Sequence, residues 1–141
     1  MNLRTLRLLE YNKIVEMLTS YAASPMAKRK CERLKPRKDP ALIQTLQQET
    51  RDALIRLNTQ GNLSFAGLRD IGASIKRLEV QGALGIKELL DIGSVLDMAL
   101  SARQYGSGDD NEEKAHDSLY SRFMELVPLE HLSQELHRCI L

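Results

Sequence analysis

Asp39-Pro40 opens the most constraining stretch of the chain, PALIQTLQQETRDALIRLNTQ, which Gly61 closes. An aspartate ahead of a proline is a helix start. The carboxylate accepts amide hydrogens of the first turn, and proline at the first helical position gives up only an amide that had no partner. At about 100° per residue, Ile43, Leu46, Ala53, Leu54 and Leu57 share one face roughly 100° wide. Glycine is a natural stop, because it accepts the left-handed conformation in which helices end. A helix over 41–60 is about 30 Å long. A rod of that length at the centre of a short chain sets a helical architecture for what surrounds it.

The remaining segments repeat the pattern. Asn12 reads as the cap of a helix running to Ala22, with Ile14, Val15, Leu18 and Tyr21 on its buried side. Ser24-Pro25 starts a short helix in which Ala27, Cys31 and Leu34 fall in a narrow arc, and Pro36 ends it. Over 86–103, Leu89, Leu90, Ile92, Val95, Leu96, Met98, Ala99 and Leu100 cover more than half the circumference, as expected of a central helix or one needing a further partner. Tyr105 to Glu113, YGSGDDNEE, reads as a mobile loop. A helix over 114–126 aligns Ala115, Leu119 and Phe123, and one more after Pro128 runs through Leu132, Leu136 and Ile140. The expectation is an all-α helical bundle of about six to seven helices, a single domain over 1–141. The apolar last residue, Leu141, lacks a C-terminal cap signal, which reads as a truncated piece of a longer chain.

The stretch GLRDIGASIKRLEVQGALGIKELLDIG, 67–93, raises the question of a phosphate-cradling loop. It lacks the Gly-x-Gly-x-x-Gly spacing, no strand precedes it, and GxxxxGK[ST] is absent from the whole sequence. The glycines read instead as punctuation. Asp70 caps a helix through Ile71, Ile75 and Leu78, Gly82 ends it in a left-handed conformation, and Gly85 opens the next with Glu88 in the place of a capping-box acid. Gly93 falls within an apolar helix face, where a missing side chain lets another helix approach.

Catalytic and metal chemistry have no motif behind them. His116, His131 and His137 form no HExxH pair, and His137 and Cys139, two apart, face away from each other on a helix. Cys31 and Cys139 match no ligand spacing and fit a reduced, cytoplasmic protein. MNLRTLRLLEYNK at the start has no apolar run long enough for a signal peptide, and no segment approaches the ~20 apolar residues of a membrane span, so the sequence reads as soluble.

The net charge is only +1, but its distribution is uneven. KRKCERLKPRK, 28–38, holds Lys28, Arg29, Lys30, Arg33, Lys35, Arg37 and Lys38 with a single acid. Such a run on one side of a short helix and its following loop suits contact with nucleic-acid phosphates. The plain alternative is a solvated helix face. With aromatics at 4% and none interleaved here, stacking on bases is not supported.

Taken in order and spacing, LEYNKIVEMLTSYAASPMAK, KPRKDPALIQTLQQETRDALIRL, GLRDI and RLEVQGALGIKELLDI resemble the N-terminal region of the bacterial MutS paralogues of the second subfamily, which lack a mismatch-recognition domain. The resemblance covers Leu9 to about Arg103, and FMELVPLEHLSQELHRCIL more loosely. Two departures stand out: Gln81-Gly82 replaces a frequent glycine pair, and Gly85 stands where a hydroxyl or acidic cap is usual. The resemblance implies the front part of a MutS-like helical core domain in a homodimeric DNA-binding ATPase and endonuclease. That family is associated with branched DNA, suppression of homologous recombination and, in some members, splitting of collided ribosomes. ATP and magnesium are implied for the longer protein, and no catalytic or cofactor residue carries over to these 141 positions. The rival expectation is a free-standing helical protein interaction module.

Overall fold

Residues 3–108 and 116–140 are described by the computed structural model of the chain. Among these described residues eight helices follow one another: α1 (Leu3–Leu8), α2 (Tyr11–Tyr21), α3 (Pro25–Glu32), α4 (Pro40–Gln60), α5 (Gly72–Glu79), α6 (Ile86–Ser107), α7 (Tyr120–Met124) and α8 (Glu130–Ile140). Among the described residues there is no strand, so the all-α expectation holds. Six of these helices run to eight residues or more, in line with the expected six to seven; α1, which precedes the first expected helix, and the five-residue α7 are the short ones.

The caps explain where most helices begin. Ser24 Oγ accepts from Ala27 N at 3.2 Å with Pro25 leading α3. Asp39 Oδ1 accepts from Ala41 N at 3.0 Å and Leu42 N at 3.4 Å with Pro40 leading α4. Each such cap contributes about 1 kcal/mol. Glu88 reaches back to Gly85 N at 2.9 Å to open α6; Asp70 accepts from Gly72 N at 3.0 Å but lies one residue ahead of the expected place, the cap position of α5 being Ile71 without a side-chain bond. Gly61 ends α4 at φ 82.

Several boundaries differ from expectation, each for a local reason. Asn12 lies inside α2, whose preceding residue is Glu10 at φ 50 with no side-chain cap. At the end of α5 the left-handed residue is Gln81, φ 59, rather than Gly82. α6 runs on through Tyr105–Ser107, shortening the expected loop from its N-terminal side, and 109–113 lie outside the described residues. The helix expected over 114–126 begins only at Tyr120. Lys114 and Ala115 lie outside the described residues, and Asp117 and Ser118 are held from α4 in a non-helical turn.

Packing falls into two groups. α2 lies against α1 and α3, and α6 against α7 and α8, the α6–α8 pairing being the most extensive. α5 is tied to α6 through Glu88, which receives Ser74 Oγ at 3.2 Å and Arg77 Nη1 at 2.8 Å.

α4 buries a polar flank beside the expected face, of which Ile43 and Ala53 are half-buried. Asp52 and Arg56 are its buried residues, whereas Leu54 is 59% and Leu57 48% exposed. On α2, similarly, Tyr11, Val15 and Thr19 turn inward while Ile14, Leu18 and Tyr21 face out. Ala102 is the buried apolar side chain among the described residues. The chain exposes 11047 Å², against about 7,400 Å² for a compact globular protein of this mass. Much apolar helix surface is therefore left without a covering layer.

Candidate functional site

The seven basic residues singled out from sequence are all exposed. Lys28, Arg29 and Lys30 lie on α3, Arg33 follows its last residue, and Lys35, Arg37 and Lys38 occupy the irregular segment leading to Asp39. Tyr11 Oη donates to Leu34 O at 3.1 Å, which fixes that segment against α2.

Arg29 is already engaged. Its Nη2 donates to Asp70 Oδ2 across to the start of α5. Asp70 is held below the usual carboxylate range, first by the Gly72 N–H and then by Arg29. The other six cations have no ion-pair partner among the described residues. Part of the charge serves the helix itself, since Arg29 and Lys30 in the last turn of α3 sit at the negative end of its dipole. Beside the strip an open groove of about 1060 Å³ runs between α1, α2 and α3, with Leu6, Tyr11 and Val15 among its apolar lining and both Lys28 and Glu32 on its wall. Its mixed charge gives no selectivity for anions.

A second cluster, missed in the sequence, joins α4 to the far end of the chain. Arg56, 8% exposed, sends Nε to Asp117 Oδ2 at 2.5 Å and Nη2 to Oδ1 at 2.8 Å. Its Nη1 donates to the carbonyls of Tyr105 and Gly106 at 3.1 and 3.2 Å, at the negative end of α6. The Phe123 ring lies 5.0 Å from the guanidinium carbon and the Tyr105 ring 6.0 Å, distances suited to cation–π attraction.

Asp52 Oδ2 accepts from Ser118 N at 3.0 Å and Ser118 Oγ at 2.5 Å, and Oδ1 from Gln48 Nε2 at 2.9 Å. The Ser118 hydroxyl and amide hold Asp52 below the usual range, and Arg56 does the same for Asp117 while being itself raised by that partner. With their donors and acceptors turned on one another, these groups form a structural joint rather than a reactive site. The signal available in sequence was the spacing of Gln48, Asp52 and Arg56 by four residues, which puts them on one helix face.

Over its whole length the chain is 44% identical to the endonuclease MutS2 of Lachnoclostridium phytofermentans and, again over its whole length, 44% identical to that of Agathobacter rectalis. With 99% of the chain aligned, it is 32% identical to the endonuclease MutS2 of a Geobacillus species. The chain belongs to the MutS2 family. It spans 18% of the length of each of these three relatives. No protein-family model matches it, and no solved structure does.

In this MutS2 segment the glycine-rich turn is a helix connection. Gly82 N donates to Arg77 O at 2.9 Å, and a Cβ at Gly82 would press on the Arg77 side chain, so the position stays glycine for want of space. The left-handed backbone falls on Gln81 instead. The residues present do not fit ATP with magnesium. No lysine and hydroxyl residue follow the Gly82–Gly85 turn in the phosphate-loop order, and no group of three His, Cys, Asp or Glu side chains among the described residues is placed to hold a metal ion. Cys31 and Cys139 are free. No described helix is long and apolar enough to cross a membrane.

Proposed function

We propose that this chain is a non-catalytic helical scaffold layer of a cytoplasmic MutS2-type ATPase and endonuclease that acts on DNA, with the strip from Lys28 to Lys38 as a contact for phosphate backbones. The observation that carries the scaffold reading is the facing of α4, whose Asp52 and Arg56 are buried against Tyr105, Gly106, Asp117 and Ser118 while Leu54 and Leu57 face outward. A helix engaged on its polar side and apolar on its free side suits an inner layer. In this reading the layer relays ATP-driven movement from elsewhere in a homodimer to nucleic-acid-binding parts. The work served is suppression of recombination or, on ribosomal RNA, the splitting of stalled ribosomes. ATP and magnesium act outside the residues described above.

The test places cysteine at Leu54 and Leu18 in a background free of Cys31 and Cys139, and compares alkylation of the chain alone with that of a complete MutS2 protein carrying it. Protection in the complete protein supports the scaffold. Equal labelling in both overturns it and favours the second reading, a free-standing interaction module, for which the exposed Ile14, Met17, Leu18 and Tyr21 on α2 supply a docking face.

A further inference from the structure

Four of the six aromatic side chains of this sequence, Tyr21, Phe65, Tyr105 and Phe123, line one open pocket of about 460 Å³. They come from the end of α2, the segment after α4, the last turn of α6, and α7. The volume is that of a small-ligand site, about 300–1,000 Å³. Its inner wall is held firmly. Tyr105 Oη donates to Gly61 O at 3.0 Å, the Tyr105 ring meets that of Phe123 edge to face at 5.8 Å, and both rings rest on the Arg56 guanidinium. Its outer wall is bare: Tyr21 is 81% and Phe65 38% exposed.

The rim is polar. Asn62 makes no side-chain hydrogen bond among the described residues, and Ser64 Oγ only accepts, from Ala66 N at 3.5 Å. An apolar side chain seated here would cover these groups and leave them unsatisfied. A nucleobase instead offers a π-face to the rings and, on its edge, the donor and acceptor that an asparagine amide pairs with. No carboxylate lines the pocket, unlike the groove beside α3 with Glu32 on its wall, so nothing there repels a phosphate. The cations are close along the chain. Ala23 on the rim is five residues from Lys28, and Phe65 is five from Asp70, which holds Arg29, each a span of at most about 17 Å. The basic run contains no aromatic of its own, and the fold supplies them within that reach.

We propose that this pocket takes a single unpaired nucleobase from a strand whose phosphates lie on the basic residues from Lys28 onward. It rests on the phosphate contact proposed above and names the form of nucleic acid accepted there. Unpaired tracts are selected over closed duplex, because a paired base keeps its faces in its own stack.

The experiment measures fluorescence anisotropy of three labelled probes of one length with the intact chain: an oligodeoxyadenylate strand, its abasic counterpart and a closed duplex. The base-bearing strand is expected to bind at least about fivefold tighter than the abasic one. Tyr21→Ala, and separately Phe65→Ala, should erase that preference with the salt slope kept, and Tyr21→Phe should retain it. Equal binding of base-bearing and abasic strands, with the salt dependence intact, overturns the pocket and spares the phosphate contact. If no strand binds, the phosphate contact falls, and proton NMR with adenosine, which carries no phosphate, decides the pocket. Shifts confined to the Tyr21, Phe65 and Phe123 rings then support it, and unmoved rings overturn it. Ring shifts with N-acetyltryptophanamide but not with adenosine assign the pocket to a side chain of a partner protein and overturn the proposal too.

Discussion

Arg56 and Asp117, 61 residues apart, meet through two parallel hydrogen bonds, Nε to Oδ2 and Nη2 to Oδ1. The guanidinium is almost buried, so truncating Asp117 strands a charge that also depends on the carbonyls of Tyr105 and Gly106. Asp117→Ala is expected to cost about 3 kcal/mol in urea unfolding. Arg56→Met, which removes the charge while keeping an apolar stem against Phe123, should cost less. Equal losses from the two variants would show that the stranded charge is not what matters.

The acid limb of stability follows from four carboxylates. Asp52, Asp70, Glu88 and Asp117 are all held below their ordinary range, by Ser118, by Gly72 N–H with Arg29, by Gly85 N–H with Arg77, and by Arg56 respectively. A depressed carboxylate gives its stabilisation above the unfolded value, about 4, and loses it as pH falls through the folded value. Urea midpoints should therefore be level from pH 7 to about pH 5 and fall below about pH 4. Asp52→Asn should flatten that fall, and an unchanged acid slope in the variant would remove Asp52 from the account.

Two glycines of α6 should respond oppositely to alanine. A Cβ at Gly106 would overlap Cβ of Phe123, whereas at Gly93 it would meet His137 Cε1 at an ordinary 3.6 Å. Gly106→Ala is expected to destabilise by about 1–3 kcal/mol through overpacking. Gly93→Ala should gain up to about 1 kcal/mol from helix propensity. Chemical denaturation of both reads the difference, and a tolerated Gly106→Ala would mean that α7 stands further from α6 than described.

Gln81 carries a left-handed backbone at φ 59 without the freedom of glycine. Gln81→Gly should stabilise the connection between α5 and α6 by about 1 kcal/mol. A lower melting temperature in the variant would contradict this.

For the basic strip, binding to duplex and branched DNA and to ribosomal RNA is to be measured against salt. Neutralising Lys28, Lys30, Arg33, Lys35, Arg37 or Lys38 should each lower the salt slope by about 1 where that residue meets a phosphate. Arg29→Gln should change it less, because Arg29 is engaged by Asp70. Slopes unaffected by all seven would return the strip to the status of a solvated face.

The helices were legible wherever a cap spoke for them. Ser24-Pro25, Asp39-Pro40 and the pair Gly85 and Glu88 act as their chemistry requires, because capping is local and needs only three or four neighbouring residues. The exposure of the basic residues was legible for a similar reason, the run being contiguous. What sequence could not give was the facing of α2 and α4. Periodicity identifies an apolar side but not whether this stretch of chain supplies the surface that covers it. Asp52 and Arg56 were overlooked because polar residues on a long helix are ordinarily solvated, and their partners Ser118 and Asp117 lie more than sixty residues away.

Arg56 grips both margins of the stretch numbered 109–115: the Tyr105 and Gly106 carbonyls before it, and Asp117 after it. One side chain of α4 therefore ties the end of α6 to the approach to α7, so that three stretches far apart in sequence are held as a single unit.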